Sequence, residues 1–358
     1  MGCFVCSTQV VTGDAAAVVA ARKPRRLLVV ADPFFEKNGV ARSLCQGAEA
    51  SEFFFGVQPD PSVTLAAEGT RLVQEFQPDT IVALGGGSAM DCAKAMKYFS
   101  GSQAALIAIP TTSGSGSEVT DFAIVTHDGV KHPLVDEALR PQMAVLDEKL
   151  VAQLPKSLAA DGGFDALTHA LEAYTATGRS GFTDCLAREA FQRVFSLLPR
   201  SVAGTLSARL PVHEAATMAG MAFTQAGLGL CHALAHALGG CFHLPHGRLN
   251  AILLPAVMEV NAPVCADRYA QLAQSIGLEA RAEAAGARNL RFALVRLRRS
   301  LNLPATLAEA GISPSEVQHQ TEALVAAALA DPCCQTNPAP VTREMTLQVL
   351  QQVTGHGR

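Results

Sequence analysis

The chain has 358 residues, of which 49% are apolar and 17% charged, as in a folded protein large enough for two domains. Its formal net charge of −4 argues against a nucleic-acid-binding surface. The ten cysteines include no second CxxC pair, and so many thiols favour a reducing compartment. We find neither a signal-peptide pattern nor the roughly 20 consecutive apolar residues of a membrane span. We therefore expect a cytoplasmic protein without a nucleic-acid or membrane partner.

Apolar runs alternate with helical stretches in the N-terminal part of the chain. This alternation predicts an α/β domain over 1–155, with a Rossmann-like parallel sheet and crossover helices, that binds a dinucleotide. Its predicted strands lie within 25–32, 79–88, 104–118 and 142–148.

Helical periodicity dominates after residue 155. It predicts an all-α domain over 156–358, with residues 332–342 as a loop. The predicted helices are 165–177, 182–200, 208–240, 266–300, 314–330 and 342–353.

A glycine-rich turn follows the second predicted strand. Gly85, Gly86 and Gly87 allow a tight turn and close approach of a ligand, Ser88 is positioned to cap the next helix, and Asp91 falls in its first turn. The N–H groups at such a helix start favour a pyrophosphate. The alternative is a tight strand–helix connection without a ligand, since the GxGxxG fingerprint is missing.

Two further segments follow strands in the same half of the chain. Asp32 is placed to accept a hydrogen bond from a ribose 2′-hydroxyl and to repel a 2′-phosphate, which favours NAD over NADP. The alternative role for Asp32 is a cap or turn residue before Pro33. The loop TTSGSGSE (111–118) offers hydroxyls and glycines suited to a cofactor, or is a flexible surface loop.

Candidate metal ligands lie in the predicted all-helical region. Asp165 and His169 are four residues apart on one helix face, and GLCHALAHALGGCFHLPHG supplies His232, His236, His243 and His246. One carboxylate and three imidazoles are ligands for zinc or ferrous iron, and a metal with an open position is a Lewis acid. The alternatives are a surface Asp–His pair and buried histidines that only pack.

Four motifs occur in order: GGGSAMDCAKA, IPTTSGSGSEVT, GFDALTHALEAY and the His-rich segment ending in PHG. Together they resemble the iron-containing (group III) alcohol dehydrogenase family over almost the whole chain. This resemblance implies a dehydroquinate-synthase-like architecture, NAD as cofactor, and Fe²⁺, with Zn²⁺ as the alternative metal. It also implies the metal ligands Asp165, His169, His232 and His246.

The resemblance assigns the remaining site residues as well. His236 becomes the catalytic histidine, Phe223 and Cys333 fall near the substrate pocket, and His243 is left out as a solvent-facing or outer residue. The predicted cofactor-binding residues are Asp32, Gly86, Gly87, Ser88, Asp91, Thr111, Thr112, Ser115 and Lys131.

The runs GMAFTQAGLGLCHALAHALGGCFHLPHG and VKHPLVDEALRPQMAVLD resemble the 1-propanol dehydrogenases of propanediol-utilisation microcompartments. Reduction of propionaldehyde to 1-propanol is therefore the expected reaction. Ethanol dehydrogenases of ethanolamine utilisation and zinc glycerol dehydrogenases are the alternatives. The resemblance further implies a homodimer or larger homo-oligomer, microcompartment shell or cargo proteins as partners, and a location inside a microcompartment. The leading MGCFVC has no counterpart.

Overall fold

A computed structural model describes residues 4–127 and 130–355. The chain divides into two compact units, Val5–Leu154 and Pro155–Arg358, and Phe4 groups with the second. The predicted CxxC begins at Cys3, outside the described residues, and none of the nine cysteines within them forms a disulfide.

Six parallel strands form the sheet of the first unit, in the spatial order β1-β8-β5-β4-β2-β3. β2 and β4 are almost wholly buried, because helices cover both faces of a parallel sheet and its strands read as continuous apolar runs. The sheet strands are β1 Gln9–Thr12, β2 Arg26–Ala31, β3 Ala50–Phe54, β4 Thr80–Gly85, β5 Ala105–Pro110 and β8 Met143–Leu146.

The strand order creates a topological switch point between β2 and β4. From β2 the chain moves outward to β3, then returns to the other side of β2 and continues through β4, β5 and β8. In open α/β sheets, ligands bind outside the carboxyl ends of the strands at this kind of reversal. Asp32 follows β2 and the glycine turn follows β4, so both lie at the switch point.

Two features of this unit were not predicted. The short strand β3 was not predicted, because its five residues show no clear alternation between buried and exposed positions. The second feature is a separate two-stranded sheet, in which β6 (Phe122–His127) pairs antiparallel with β7 (Val130–Val135). The helices of the unit are α1 Ala15–Ala21, α2 Phe34–Lys37, α3 Val40–Ser43, α4 Val63–Phe76, α5 Gly87–Ser100 and α6 Glu148–Ala152.

The second unit is helical in its described part. Its helices are α7 Lys156–Thr175, α8 Gly181–Val202, α9 Leu206–Ala226, α10 Leu230–Phe242, α11 His246–Ser275, α12 Glu283–Ser300, α13 Pro314–Ala330 and α14 Arg343–Thr354. A short 3₁₀ helix, Pro332–Thr336, lies in the stretch predicted as a loop.

Two of the predicted helices were wrong in extent. The stretch 208–240 is two helices, because Gly227 adopts a φ of 83° and a Cβ there would lie 2.2 Å from the Thr336 hydroxyl oxygen. The stretch 266–300 is also divided: α11 ends at Ser275, Gly277 has a φ of 77°, and α12 starts at Glu283. The helical period continues across both breaks, so it could not locate them.

α11 is the longest helix and carries a kink at Cys265, where φ is −139°. By length and composition alone it could cross a membrane, with a mean hydropathy of 1.5 over its best window, although its apolar residues are not consecutive. Within the protein, 67% of that window is buried. A core helix has this property, so the finding is weak evidence for a membrane span.

Candidate functional site

The glycine turn after β4 leads directly into α5. Gly85 has a φ of 149°, Gly86 is the N-cap, and the helix begins at Gly87. Ser88 therefore lies inside the first turn and does not cap the helix, contrary to our expectation, because the N-cap is Gly86, two residues earlier. Its hydroxyl oxygen instead accepts a hydrogen bond from the Asp60 N–H at 3.4 Å.

The turn and the Ser/Thr/Gly loop face each other closely. A Cβ on Gly86 would lie 3.2 Å from the Thr112 hydroxyl oxygen, and one on Gly87 would lie 3.2 Å from the Ser115 Cβ. The Thr111 N–H donates to the Gly85 carbonyl at 2.9 Å. The structure thus brings together two motifs separated by about 25 residues, and a side chain at either glycine would press on the opposing residue.

Asp91 lies in the second turn of α5, beyond the first turn where we expected it. Its carboxylate accepts a hydrogen bond from the Ser117 hydroxyl at 3.0 Å. Burial raises the pKa of Asp91 to about 6, although the nearby Lys94 and Ser117 oppose the shift. The buried Lys94 ammonium donates to the Thr120 carbonyl and hydroxyl. These contacts hold the Ser/Thr/Gly loop against α5. Asp91 therefore helps to position this candidate cofactor loop.

Asp32 is placed for both of the roles proposed for it, a turn residue and a carboxylate that faces the cofactor. Its Oδ1 accepts a hydrogen bond from the Phe34 N–H at 2.9 Å, as a turn residue would. Its Oδ2 lies 3.5 Å from the place where a Gly85 Cβ would be, and so faces the glycine turn. Burial raises the pKa of the carboxyl. One oxygen maintains the turn and the other faces the switch point.

Lys131 is linked to the glycine turn through one acidic residue. Its ammonium forms an ion pair with Asp60 at 2.6 Å, and the Asp60 N–H is the one that reaches Ser88. Lys131 and Ser88 are therefore near each other although 43 residues separate them in sequence.

The four predicted metal ligands converge on one carboxylate oxygen. The Nε2 atoms of His169, His232 and His246 lie 3.9, 3.7 and 3.6 Å from Asp165 Oδ1. Donors at about 2.1 Å from a tetrahedral ion are about 3.4 Å apart, so these separations are close to those of a divalent metal site. Asp165, His232 and His246 also offer donor atoms within 4.8 Å of one another. The residues therefore fit the ion that the donor chemistry indicates.

The charges of the site favour a cation. Burial tends to raise the pKa of Asp165, but His169, His246 and His232 outweigh it and lower the pKa far below its ordinary value. Burial tends to lower the pKa of His232, but the carboxylates of Asp165 and Glu172 raise it to about 9. Two carboxylates thus attract positive charge to His232, and a proton or a divalent cation would supply it.

Glu172 is a site residue that sequence reasoning missed. Its Oε2 lies 2.5 Å from His232 Nδ1, and its carboxylate also accepts hydrogen bonds from the N–H groups of Gly229 (3.0 Å) and Cys231 (2.8 Å). Helix α10 has no side-chain cap at its own N-cap residue, so Glu172 from α7 caps it. The available signal was a carboxylate on the apolar helix that carries Asp165, one turn beyond His169.

α11 supplies three residues of the site in succession. His246 is its first residue, and a Cβ on Gly247 would lie 1.9 Å from the Asp161 carbonyl oxygen, so only glycine lets α11 pack on α7 here. Asn250, one turn on, donates to Asp165 Oδ1 at 2.7 Å and lies 3.3 Å from His232 Nε2. Asn250 was also missed, because its amide looks ordinary in sequence.

His236 lies beside the ligand cluster and is held by a partly buried carboxylate, that of Asp331. Its ring stacks on His246 with centroids 5.1 Å apart, and its Nδ1 lies 2.8 Å from Asp331 Oδ2. Burial tends to raise the pKa of Asp331, but the hydrogen bond with His236 outweighs it and lowers the pKa to about 2. Asp331 lies 95 residues beyond His236, and no sequence motif indicated that it would contact this histidine.

Phe223 and Cys333 each lie next to a histidine of the site, and His243 lies outside the cluster. The Phe223 ring stacks on His169 with centroids 4.3 Å apart. The Cys333 N–H donates to Asp331 Oδ1, which brings Cys333 next to His236. His243 is exposed, with a left-handed backbone at the end of α10.

Comparison with known proteins identifies the family of this chain. The family described as "Iron-containing alcohol dehydrogenase" matches residues 7–148, and "Fe-containing alcohol dehydrogenase family, C-terminal" matches residues 159–354. The chain belongs to the iron-containing alcohol dehydrogenase family, and its two units form the α/β and helical parts of an oxidoreductase of this class.

Individual relatives cover most or nearly all of the chain. The 1-propanol dehydrogenase PduQ of Salmonella typhimurium is 38% identical over 99% of this chain and 100% of its own length. An NADPH-dependent butanol dehydrogenase of Clostridium saccharobutylicum is 38% identical over 83% of this chain and 82% of its own. The crystal structure of sulfoacetaldehyde reductase from Bifidobacterium kashiwanohense in complex with NAD⁺ superposes with a TM-score of 0.87, at 25% identity over 99% of this chain and 98% of that one.

Proposed function

We propose that this protein is an NAD(H)-dependent enzyme that interconverts a short primary alcohol and its aldehyde, with 1-propanol and propionaldehyde as the physiological pair. The observation that carries the proposal is the convergence of three imidazoles on Asp165 Oδ1, with His236 stacked against the ligand His246. The full-length similarity to a 1-propanol dehydrogenase supports the substrate class.

Asp165, His169, His232 and His246 would hold the divalent metal, ferrous iron by family and zinc by donor chemistry. When bound, such an ion supplies Lewis acidity, which polarises a carbonyl and makes an alcohol more acidic. The protein keeps the ligands ready for it. Glu172 fixes His232 through its Nδ1, and hydrogen bonding of this kind holds an imidazole in one tautomer and orientation.

His236 is the residue we assign to proton transfer. Asp331 accepts at its Nδ1 and so fixes the ring plane and the tautomer, as a carboxylate does for other catalytic histidines. The pKa of Asp331, at about 2, keeps this partner ionised over the working range of pH. His236 is not one of the three histidines whose Nε2 atoms converge on Asp165 Oδ1, so its ring lies outside the assigned metal ligand set.

NAD is the nicotinamide cofactor we assign, and it supplies the hydride chemistry when bound. The glycine turn and the facing loop would bind its phosphates and ribose through Gly86, Gly87, Thr112 and Ser115. Asp32 Oδ2 at the switch point would repel a 2′-phosphate. The NADPH-dependent butanol dehydrogenase relative makes the cofactor ratio a necessary part of the test.

The decisive test is anaerobic NADH oxidation with propionaldehyde, on protein reconstituted separately with ferrous iron and with zinc. We expect turnover with iron, and a series from acetaldehyde to hexanal should favour the three-carbon substrate. A maximum at acetaldehyde would instead indicate an ethanol dehydrogenase, and oxidation of glycerol by the zinc form would indicate a glycerol dehydrogenase. Stoichiometric metal binding without turnover on any of these substrates would refute the proposed reaction.

The partners and location remain proposals from the resemblance. We propose a homodimer or larger homo-oligomer, to be measured by light scattering, and association with microcompartment shell or cargo proteins in the cytoplasm. Co-sedimentation of the tagged protein with purified microcompartments tests the second point. Recovery only in the unsedimented fraction would contradict it.

A further inference from the structure

A second set of metal-ligating side chains lies outside the four-ligand site. His236, Asp331 and Cys333 each offer a donor atom, and these three atoms lie within 4.8 Å of one another. His236 lies in α10, Asp331 is the N-cap of the short 3₁₀ helix at 332–336, and Cys333 lies within that helix. None of the three is among the residues that converge on Asp165.

The cluster is held in place by the backbone around it. Asp331 accepts from the Cys333 N–H at 2.8 Å through Oδ1, and its Oδ2 lies 2.8 Å from His236 Nδ1. Thr336 donates to the Leu228 carbonyl at 2.7 Å, which fixes the far end of the 3₁₀ helix. Because the donors are already together, a metal would have little chain to order on binding.

The donor set selects the class of metal. One imidazole, one carboxylate and one thiol match the mixed nitrogen, oxygen and sulfur coordination of zinc and cobalt, whereas calcium and magnesium prefer oxygen alone. Three protein ligands leave one tetrahedral position for water. A carboxylate and a thiolate would neutralise the two charges of the ion.

We propose that His236, Asp331 and Cys333 form a second, inhibitory site for zinc, separate from the site centred on Asp165. Binding releases one proton, from the Cys333 thiol, and moves the His236 proton from Nδ1 to Nε2 if Nδ1 becomes the ligand. The inhibitory effect rests on the proposed function, because zinc would remove His236 and Asp331 from proton transfer. The binding itself does not depend on that function.

Cobalt absorption separates the two sites, because only a thiolate ligand gives an intense near-ultraviolet charge-transfer band. The Asp165 site offers nitrogen and oxygen donors alone. Full-length, metal-stripped protein is titrated with Co²⁺ under anaerobic conditions. We expect two equivalents to bind, with the near-ultraviolet band accompanying one of them.

Three variants assign that band. Cys333→Ser should lose the band and one equivalent of cobalt. Cys334→Ser is the matched control and should keep both, since the Cys334 thiol donates to the Ala328 carbonyl at 3.0 Å. Asp165→Asn should keep the band while the other equivalent is lost or weakened. A band that persists in Cys333→Ser, or a single equivalent without a band, would overturn the proposal.

Zinc inhibition of the iron-loaded enzyme tests the consequence. We expect turnover to fall as Zn²⁺ is added, and the half-inhibitory concentration to rise at least about tenfold in Cys333→Ser but not in Cys334→Ser, which corresponds to about 1.4 kcal/mol of binding free energy. Equal sensitivity of the two variants would overturn the inhibitory role. If the iron-loaded protein has no turnover at all, the proposed function fails, while the cobalt band still decides whether the site exists.

Discussion

The two candidate sites of this protein are built in opposite ways. The candidate cofactor turn of the first unit consists mainly of backbone atoms, because Gly86 and Gly87 have no side chains. A Cβ at these positions would contact Thr112 and Ser115. The metal site of the second unit consists of one carboxylate and three imidazoles whose donor atoms converge, with Glu172 holding His232. The first should therefore fail when atoms are added, and the second when atoms or charges are removed.

The largest effect should come from Asp165, the point on which three imidazoles converge. Asp165→Ala leaves three imidazoles without the negative charge that favours a cation there. We expect loss of stoichiometric iron and at least about a thousandfold fall in turnover, since removal of a central catalytic element costs on this scale. Metal analysis and aldehyde reduction provide the measurement.

Asp267→Asn is the control for Asp165→Ala, because Asp267 is exposed on α11 of the same unit. It should keep both metal and turnover. An Asp165→Ala protein with full metal content and normal activity would show that the four residues are not the metal site.

The next effect should come from His236, whose loss should leave the metal in place. His236→Ala removes proton transfer but no donor to the Asp165 site, so we expect about a hundredfold lower turnover at unchanged iron content. Asp331→Asn should give a smaller loss in the same direction, because it only releases the ring. The pH profile of turnover should change in both.

His243→Ala is the matched control for His236, since His243 is exposed at the end of the same helix. It should behave as the wild type. If His236→Ala also loses iron, then His236 is a ligand and its assignment to proton transfer is wrong.

Glu172→Gln tests the buried support of the metal ligands. The amide cannot accept from the Gly229 and Cys231 N–H groups with both oxygens, and it places a donor against His232. Loss of an outer hydrogen-bond partner of this kind weakens metal binding about 10- to 100-fold. Competition with a chelator measures the affinity. Glu283→Gln at the exposed start of α12 is the control, and equal affinities in the two variants would refute the role.

On the cofactor side the corresponding test adds a single methyl group. In Gly87→Ala the new Cβ meets the Ser115 Cβ at 3.2 Å, so the facing loops must separate. Overpacking of this kind costs about 1–3 kcal/mol, and we expect roughly tenfold weaker NADH binding with unchanged iron content.

Two further variants make the Gly87 test specific. Gly181→Ala places its methyl where nothing lies within 4 Å and should be silent. Adding Ser115→Gly to Gly87→Ala removes the contact and should recover part of the affinity. Normal NADH affinity in Gly87→Ala would show that the close approach of the two loops does not shape the cofactor site.

The same contrast explains what could be predicted from sequence. The glycine turn and the Asp165–His169 pair are local patterns, so their strand–turn–helix and one-face placement followed from spacing alone. Glu172 and Asp331 act on histidines 60 and 95 residues away in the chain. Such pairings depend on how helices pack, which residue spacing does not contain.

Other errors have a local physical cause. The break between α9 and α10 depends on the Thr336 side chain lying against Gly227, a contact made by a distant segment. Ser88 was expected to cap α5, but the N-cap is Gly86, so the helix starts two residues earlier, directly after the positive φ of Gly85. A glycine run permits several such turns, and the sequence does not choose among them.

Substitution of Asp32 should have the smallest effect. It can separate the two roles of this residue, which are to hold the turn and to select the cofactor. Asp32→Asn keeps an oxygen that accepts from the Phe34 N–H but removes the charge facing the glycine turn, whereas Asp32→Gly removes both. If charge excludes the 2′-phosphate of NADP, both variants should raise the NADP-to-NAD ratio of kcat/KM about fivefold, or ~1 kcal/mol, a modest value because the site is partly exposed. If only Asp32→Gly changes the ratio, the turn is what matters and the carboxylate does not select the cofactor. Steady-state kinetics with both cofactors on the iron-loaded protein distinguishes the two, and a ratio unchanged in both variants removes Asp32 from the cofactor site altogether.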